Sequence, residues 1–256
     1  MQNLALVTAG TSAIGRHLVA ALAGAGHAVA FTHIGADEQA GAMVVAIQAK
    51  GGRAMAAHSD AGDAAQVAAF HAAAADWAGS APSVMVCNAG IQTWSPLLDL
   101  TVDDWDRVMH TNLRGLFLNT QAAARAMIAA KIPGSIITLG SGCNKLAFPR
   151  LVDYTTSKGG VEQFTKAAAC ELGPYGIRVN CIAPGAIETD RTKAEAPDYA
   201  ATWAPITPLR RIGTPQDLTG PMLFLISQAA GFVTGQTIWV DGGAFSQAPW
   251  PYPVIP

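Results

Sequence analysis

The sequence predicts an α/β protein built on a doubly wound parallel sheet with helices on both faces, and three observations predict it. Short apolar runs alternate with longer helical patterns along all 256 residues, the signature of layered α/β architecture. The first six runs hold apolar residues in succession, as strands covered on both faces require. The segments with chemical character follow the carboxyl ends of these runs, where an open α/β sheet builds its site.

The first run, Leu4–Thr8, enters the stretch TAGTSAIG and then a helical pattern over 14–24. The run Ala28–Thr32 precedes a helical pattern at 36–50, and Ala54–His58 precedes one at 62–77. Ser83–Cys87 leads to a long pattern over 103–130, opened by Thr101 or Asp103 as a cap. Ser135–Leu139 leads to the pattern at 154–172, and Arg178–Ile182 is the sixth run. Thr214-Pro215 sets proline at the first position of a helix over 215–228, before the last run, Thr237–Val240. Alanine-rich pieces such as Ala72–Ala75 are good helix formers. Residues 189–213 show no clear periodicity, and a loop of that length in a compact domain reads as a lid. In the tail, 244–256, Pro249, Pro251 and Pro253 prevent a regular helix, and Trp250 and Tyr252 suggest docking against something such as a neighbouring subunit. No linker or repeat divides the chain, so one domain over 1–256 is expected.

Composition narrows the function. Half of the residues are hydrophobic, 13% are charged, and the net charge is -2. Much of the chain must therefore be buried, and neither nucleic acid nor an anionic membrane finds a basic patch. Cys87, Cys143, Cys170 and Cys181 form no CxxC pair and read as free thiols in a reducing cytoplasm. The six histidines form no HxxxH or HExxH pair, so no metal site is expected. Residues 4–31 are apolar, but glycines and the pair Arg16-His17 interrupt them, so a buried strand–turn–helix explains them better than a membrane span.

The chemistry gathers in a few places. A helix N-terminus with unpaired N–H groups attracts phosphate, and glycines let the backbone approach it. In TAGTSAIG, Gly10 and Gly15 are present, Thr8, Thr11 and Ser12 add hydroxyls, and Ala9 and Ala13 stand where glycine is expected. Gly10 is expected to lend flexibility beside Ala9, and the Ala13 methyl to weaken dinucleotide binding without abolishing it. In Tyr154-Thr155-Thr156-Ser157-Lys158, the phenol and the ammonium share one helix face. The positive charge is expected to lower the tyrosine pKa and suit it to acid/base work. Ser141, the Asn88-Ala89-Gly90 turn and the stretch Pro184-Gly185-Ala186-Ile187-Glu188-Thr189 each follow a strand end.

Together these pieces resemble the short-chain dehydrogenases/reductases. The resemblance runs from Leu4 to about Gly243 and rests on TAGTSAIG, Asp60, CNAG at 87–90, Asn112 in HTNLRG, Ser141, YTTSK at 154–158, PGAIET at 184–189 and VDGG at 240–243. It implies a three-layer Rossmann fold with a seven-stranded sheet, a nicotinamide cofactor and a catalytic tetrad of Asn112, Ser141, Tyr154 and Lys158. Tyr154 would exchange a proton with the substrate oxygen that Ser141 orients. Lys158 would hold the nicotinamide ribose, and Asn112 would support a water linking Lys158 to solvent. The implied cofactor groove comprises Thr8, Gly10, Thr11, Ser12, Ile14, Gly15, Thr32, His33, Asp60, Asn88, Ala89, Gly90, Tyr154, Lys158, Pro184, Gly185, Ile187 and Thr189. Asp60 would approach the adenine or else cap the helix near Gly62; Thr189 would bond the carboxamide or else be a plain lid residue.

The second strand ends Phe31-Thr32-His33-Ile34, without the acid that selects NAD. NADP is favoured over NAD, with use of both kept open. The Ser-to-Tyr loop and the lid look most like bacterial glucose and rhamnose dehydrogenases, so a sugar or polyol substrate is expected. Asn144, Lys145, Glu188, Asp190 and Arg191 are the candidate hydroxyl-binding groups. The alternative is a 3-oxoacyl-[acyl-carrier-protein] reductase, weakened by Tyr175 where a basic residue often stands, with Lys131 as a remaining basic contact. A non-catalytic cofactor sensor or scaffold is the alternative of another class. The equivalents of helices 103–130 and 154–172 form the family's dimer face, so a homotetramer is expected.

Overall fold

The structure is a computed structural model that describes residues 3–248, so the tail expected over 244–256 lies outside the described residues from 249 onward. All seven expected strands form. They are β1 (Leu4–Val7), β2 (Ala28–His33), β3 (Arg53–His58), β4 (Pro82–Cys87), β5 (Gly134–Leu139), β6 (Ile177–Pro184) and β7 (Thr237–Val240). They pair in parallel in the order β3-β2-β1-β4-β5-β6-β7. This is a doubly wound Rossmann sheet.

Alternation along each strand divides the core. Leu4 and Leu6 of β1 face the cluster formed with α3 (Ala64–Ala78), α5 (Gly115–Ala129) and α6 (Val152–Leu172). Ala5 and Val7 face the opposite cluster, with α1 (Ala13–Gly24), α2 (Asp37–Gln48) and α9 (Thr219–Ile226). All four β1 side chains are buried because helices cover both faces. Truncating a buried leucine such as Leu6 costs about 2–5 kcal/mol.

Four details differ from the sequence reading. The run Ala54–His58 lies in β3, an edge strand whose ends are exposed. The pattern over 103–130 is broken: α4 (Val102–Met109) passes through a π-helical turn at His110–Arg114 before α5 begins. The segment 189–213 is not irregular throughout, because it holds two short helices, α7 (Asp190–Glu195) and α8 (Tyr199–Trp203). A 3₁₀ turn at Pro215–Leu218 likewise replaces the first turn of the helix expected at 215–228.

The strand order reverses beside β1, with β2 on one side and β4 on the other. The chain leaves β1 towards α1 on one face and leaves β4 towards α4 and α5 on the other. A crevice opens there at the carboxyl ends of the strands, which is where such sheets bind ligands.

Candidate active site

The loop between β1 and α1 is braced from three sides. Thr8 is buried, and its Oγ1 accepts from the backbone N–H groups of Asn88 and Ala89, each at 2.9 Å. Asn88 Nδ2 donates to the Thr8 and Ala9 carbonyls at 3.0 Å and to Ser12 Oγ at 3.1 Å. Thr32 Oγ1 accepts from Ala9 N–H at 3.0 Å, and its carbonyl accepts from Gly10 N–H at 2.7 Å. Thr11 offers its carbonyl to Gln39 Nε2 at 3.2 Å. Ser12 caps α1 by accepting from Gly15 N–H at 3.1 Å. The N–H groups of Ala13 and Ile14, in the first turn of α1, have no partner among the described residues.

The flexibility expected of Gly10 is not what the loop uses. The left-handed backbone falls on Ala9, with φ 50°, and not on Gly10. Gly10 is required instead for close approach, since a Cβ there would lie 2.6 Å from Phe31. A Cβ at Gly15 would strike the Ala9 carbonyl oxygen and Asn88 Nδ2. Ala13 is the first residue of α1, a position that alanine suits as the best helix former. Ile14 packs against the core on that face. This is a backbone cradle with free N–H groups at a helix start, and it fits the pyrophosphate of a dinucleotide.

At the far end of the groove, His33 and Ser59 are buried, and His33 Nδ1 and Ser59 Oγ have no hydrogen-bond partner among the described residues. Asp60 Oδ1 accepts from Gly62 N–H at 2.8 Å, and Oδ2 lies 3.4 Å from His110 Nε2. Asp60 thus closes the turn before α3, while Asp63 is the residue that caps that helix.

The four expected catalytic residues come from three elements. Ser141 follows β5 and starts a 3₁₀ turn, with its N–H donating to Asn144 Oδ1 at 3.0 Å. Tyr154 and Lys158 lie in the first two turns of α6. Lys158 Nζ donates to the Leu139 carbonyl at 2.7 Å and lies 5.5 Å from the centre of the Tyr154 ring. Burial lowers Lys158 to about 8. Burial also pushes Tyr154 up to about 12, against a downward pull from the Ser141 hydroxyl and a weaker one from the Arg191 charge. The expected lowering of Tyr154 by Lys158 is therefore not what this structure shows. The ammonium is turned to the end of β5, and desolvation of the phenol dominates.

Asn112 sits in the π-helical turn and is buried. Its Oδ1 accepts from Ile91 N–H at 2.8 Å, and its Nδ2 donates to the Ile91 carbonyl and to Ser157 Oγ, each at 2.9 Å. Ser157 Oγ in turn donates to the Tyr154 carbonyl at 2.7 Å. The Asn112 side chain thus joins the loop after β4 to α6. Gly90 lies in that loop beside Lys158, where a Cβ would stand 3.3 Å from Nζ.

After β6, Pro184 and Gly185 run against β7, with Gly185 N–H donating to the Val240 carbonyl at 3.0 Å. Ile187 is buried and forms an isolated bridge with Gly213. Thr189 caps α7, accepting from Thr192 N–H at 3.1 Å.

Each of the five candidate hydroxyl binders has a partner within the protein. Asn144 holds Ser141, and Lys145 lies over the Trp239 ring at 5.4 Å. Glu188 pairs with Lys193 at 3.2 Å, Asp190 with Arg16 at 2.9 Å, and Arg191 with Glu195 at 3.6 Å. Facing the Ser141 turn are rings that sequence reasoning missed. Phe245 packs on Gly142, and Phe148 and Trp203 lie 5.8 and 6.4 Å from Phe245, with Tyr199 beside Trp203 at 6.2 Å. They come from three distant segments, with Tyr199 and Trp203 together on α8, so no spacing in the sequence announces the cluster. Ser157 and Arg16 were also missed. Ser157 stands inside the quoted YTTSK, but its partner, Asn112, is 45 residues away.

Residues 8–244 match the family described as Enoyl-(Acyl carrier protein) reductase. The chain is 37% identical over 245 residues to the 3-oxoacyl-[acyl-carrier-protein] reductase FabG of Staphylococcus aureus, covering 96% of this chain and 99% of that one. It is 38% identical over 245 residues to the L-rhamnose 1-dehydrogenase (NAD(P)(+)) of Azotobacter vinelandii, covering 94% of this chain and 95% of that one. Among solved structures, it superposes with a TM-score of 0.90 on a gluconate 5-dehydrogenase from Burkholderia cenocepacia, in complex with NADP and tartrate, at 35% identity and 97% coverage of both chains. The chain belongs to the short-chain dehydrogenase/reductase family. It is an NAD(P)-dependent oxidoreductase acting on CH–OH donors. Among the described residues no helix is long and apolar enough to cross a membrane.

Proposed function

We propose that the chain interconverts a sugar or polyol alcohol with its carbonyl compound, using NADP in preference to NAD, with Asn112, Ser141, Tyr154 and Lys158 as its working residues. The observation that carries the reading is the placement of Ser141, Tyr154 and Lys158 at the mouth of the crevice, with the Ser141 hydroxyl acting on the Tyr154 phenol. A nicotinamide cofactor held by the Ala9–Gly15 cradle would supply or accept the hydride. Tyr154, held neutral by burial, gives its proton to the carbonyl oxygen in reduction and recovers it in oxidation. Ser141 orients that oxygen. Lys158, charged below about pH 8, stands 5.5 Å from the Tyr154 ring, and a turn of its ammonium from the Leu139 carbonyl towards the phenol would favour the phenolate and make Tyr154 a stronger acid. Asn112 holds the loop after β4 against α6 and keeps Lys158 in place.

The preference for NADP is supported by the absence of an acid at the end of β2 and by the unpartnered His33 Nδ1 at that end of the groove. Comparing KM for the two cofactors in wild type and His33→Ala tests it: the variant is expected to lose affinity for NADP and not for NAD.

The aromatic wall formed by Phe148, Trp203 and Phe245 supports a sugar, whose C–H faces stack on rings. It also suits an acyl chain, and the FabG relatives favour that second reading at nearly the same identity. A spectrophotometric screen of sugars, polyols and acetoacetyl thioesters with both cofactors separates them. Turnover of sugars or polyols alone supports the first reading, and turnover of thioesters alone replaces it. Tight cofactor binding with no turnover of any of them shows that the substrate lies outside these classes and overturns both readings.

A further inference from the structure

The segment 189–213 has two holds on the rest of the fold, and they differ in kind. At α8 the hold is aromatic, with Trp203 packed 6.3 Å from Phe148 and 6.4 Å from Phe245. At α7 it is ionic. Arg16 Nη2, in the first turn of α1, donates to Asp190 Oδ2, in the first turn of α7, at 2.9 Å across 174 residues of sequence. The remaining ion pairs of α7 stay within the segment or its entry: Arg191 with Glu195, and Lys193 with Glu188. Among the described residues, the Arg16–Asp190 pair is the one ion pair that joins α7 to the body.

We infer that Arg16 and Asp190 form a latch that holds the 189–213 lid against the phosphate loop and governs how fast the cofactor leaves. The placement argues for it. Arg16 directly follows Gly15 and moves with the cradle. Asp190 directly follows Thr189, the residue that caps α7 and ends the strand-end stretch 184–189. A shift of α7 away from the crevice must break this contact before any other charged contact to the body. Both groups are partly exposed, with side-chain exposures of 37% and 78%. The latch is therefore weak and reversible, as a gate needs to be, and salt loosens it.

The inference rests on the proposed cofactor site, and it makes Arg16 a positioning residue. A different role for Arg16, direct contact with the pyrophosphate, predicts opposite behaviour. In that case Asp190 competes with the cofactor for the guanidinium, and removing Asp190 tightens binding.

The test measures NADPH dissociation by stopped-flow fluorescence in wild type, Arg16→Ala, Asp190→Ala, the double alanine variant and the charge swap Arg16→Asp/Asp190→Arg. The latch predicts that each single variant speeds dissociation about two- to fivefold. It also predicts that the double variant is no faster than either single, that the swap recovers most of the loss, and that 0.5 M salt removes the difference. Slower or unchanged dissociation in Asp190→Ala, or additive single effects, overturns it. Hydrogen exchange of residues 190–195 in the cofactor-free protein gives a second readout. The latch predicts faster exchange in Arg16→Ala, and equal exchange overturns it. A wild-type protein that binds neither cofactor overturns the cofactor reading instead, and the exchange result still decides the latch.

Discussion

Ala9 and Lys158 show how single residues of this site carry strain. Ala9 adopts φ 50°, a left-handed backbone that costs an L-residue about 1–2 kcal/mol. Ala9→Gly is expected to stabilise the protein by about 1 kcal/mol, read as a higher urea midpoint at unchanged slope. Lys158 is buried and lowered from 10.5 to about 8, while Tyr154 is raised from 10.0 to about 12. Between about pH 8 and 10.5 the unfolded chain keeps a proton at Lys158 that the folded chain has released. Stability from this group therefore rises with pH across that window. Above about pH 10 Tyr154 acts in the opposite sense, because the folded chain keeps a proton that the unfolded chain loses. Lys158→Met is expected to raise the stability of the cofactor-free protein at pH 7 and to remove the rise above pH 8, while turnover is lost. Paired denaturation curves at several pH values check this. The same lowering predicts that kcat/KM for carbonyl reduction falls above about pH 8, and that Lys158→Arg, which stays charged, loses that limb.

At the scale of elements, the clamp of Asn112, Ser157 and the Ile91 backbone fixes the loop after β4 to α6. Ser157→Ala leaves a buried amide donor unpaired and is expected to cost about 1–3 kcal/mol in an unfolding titration, with a smaller effect on kcat than Tyr154→Phe. The strands were legible in the sequence because central parallel strands need apolar runs, and Leu4–Val7 of β1, Ala28–Phe31 of β2 and Val84–Cys87 of β4 show them unbroken, while Arg178 and Asn180 interrupt β6. The π-helical turn at His110–Arg114 was not legible, since one inserted residue scarcely disturbs an apolar stripe. Nor were α7 and α8, which are six and five residues long and too short to show a period. The motifs brought Ser141, Tyr154 and Lys158 together as expected, because strand ends and helix starts set their positions. The actual partners were hidden. That Asn112 clamps, that Thr8 anchors the turn at 88–89, and that Asn144 serves Ser141 all depend on which chain segments meet.

At the scale of the whole molecule, the crevice between β1 and β4, the Ser141–Tyr154–Lys158 group and the 189–213 segment share one edge of the sheet. We propose that the molecule works as a homotetramer, since Leu98 before α4, Val102 at the start of α4 and Phe117 on α5 leave apolar surface exposed. Light scattering at micromolar concentration is expected to give four chains, and a monomer contradicts it. The central claim concerns proton exchange at Tyr154, and the most direct test is turnover and cofactor affinity of Tyr154→Phe measured together. In the proposed reading the phenol exchanges the proton, while the backbone cradle at Ala9–Gly15 would hold the dinucleotide. Turnover is therefore predicted to fall by at least about 10²-fold with cofactor affinity nearly unchanged. Turnover within about tenfold of wild type would contradict the account.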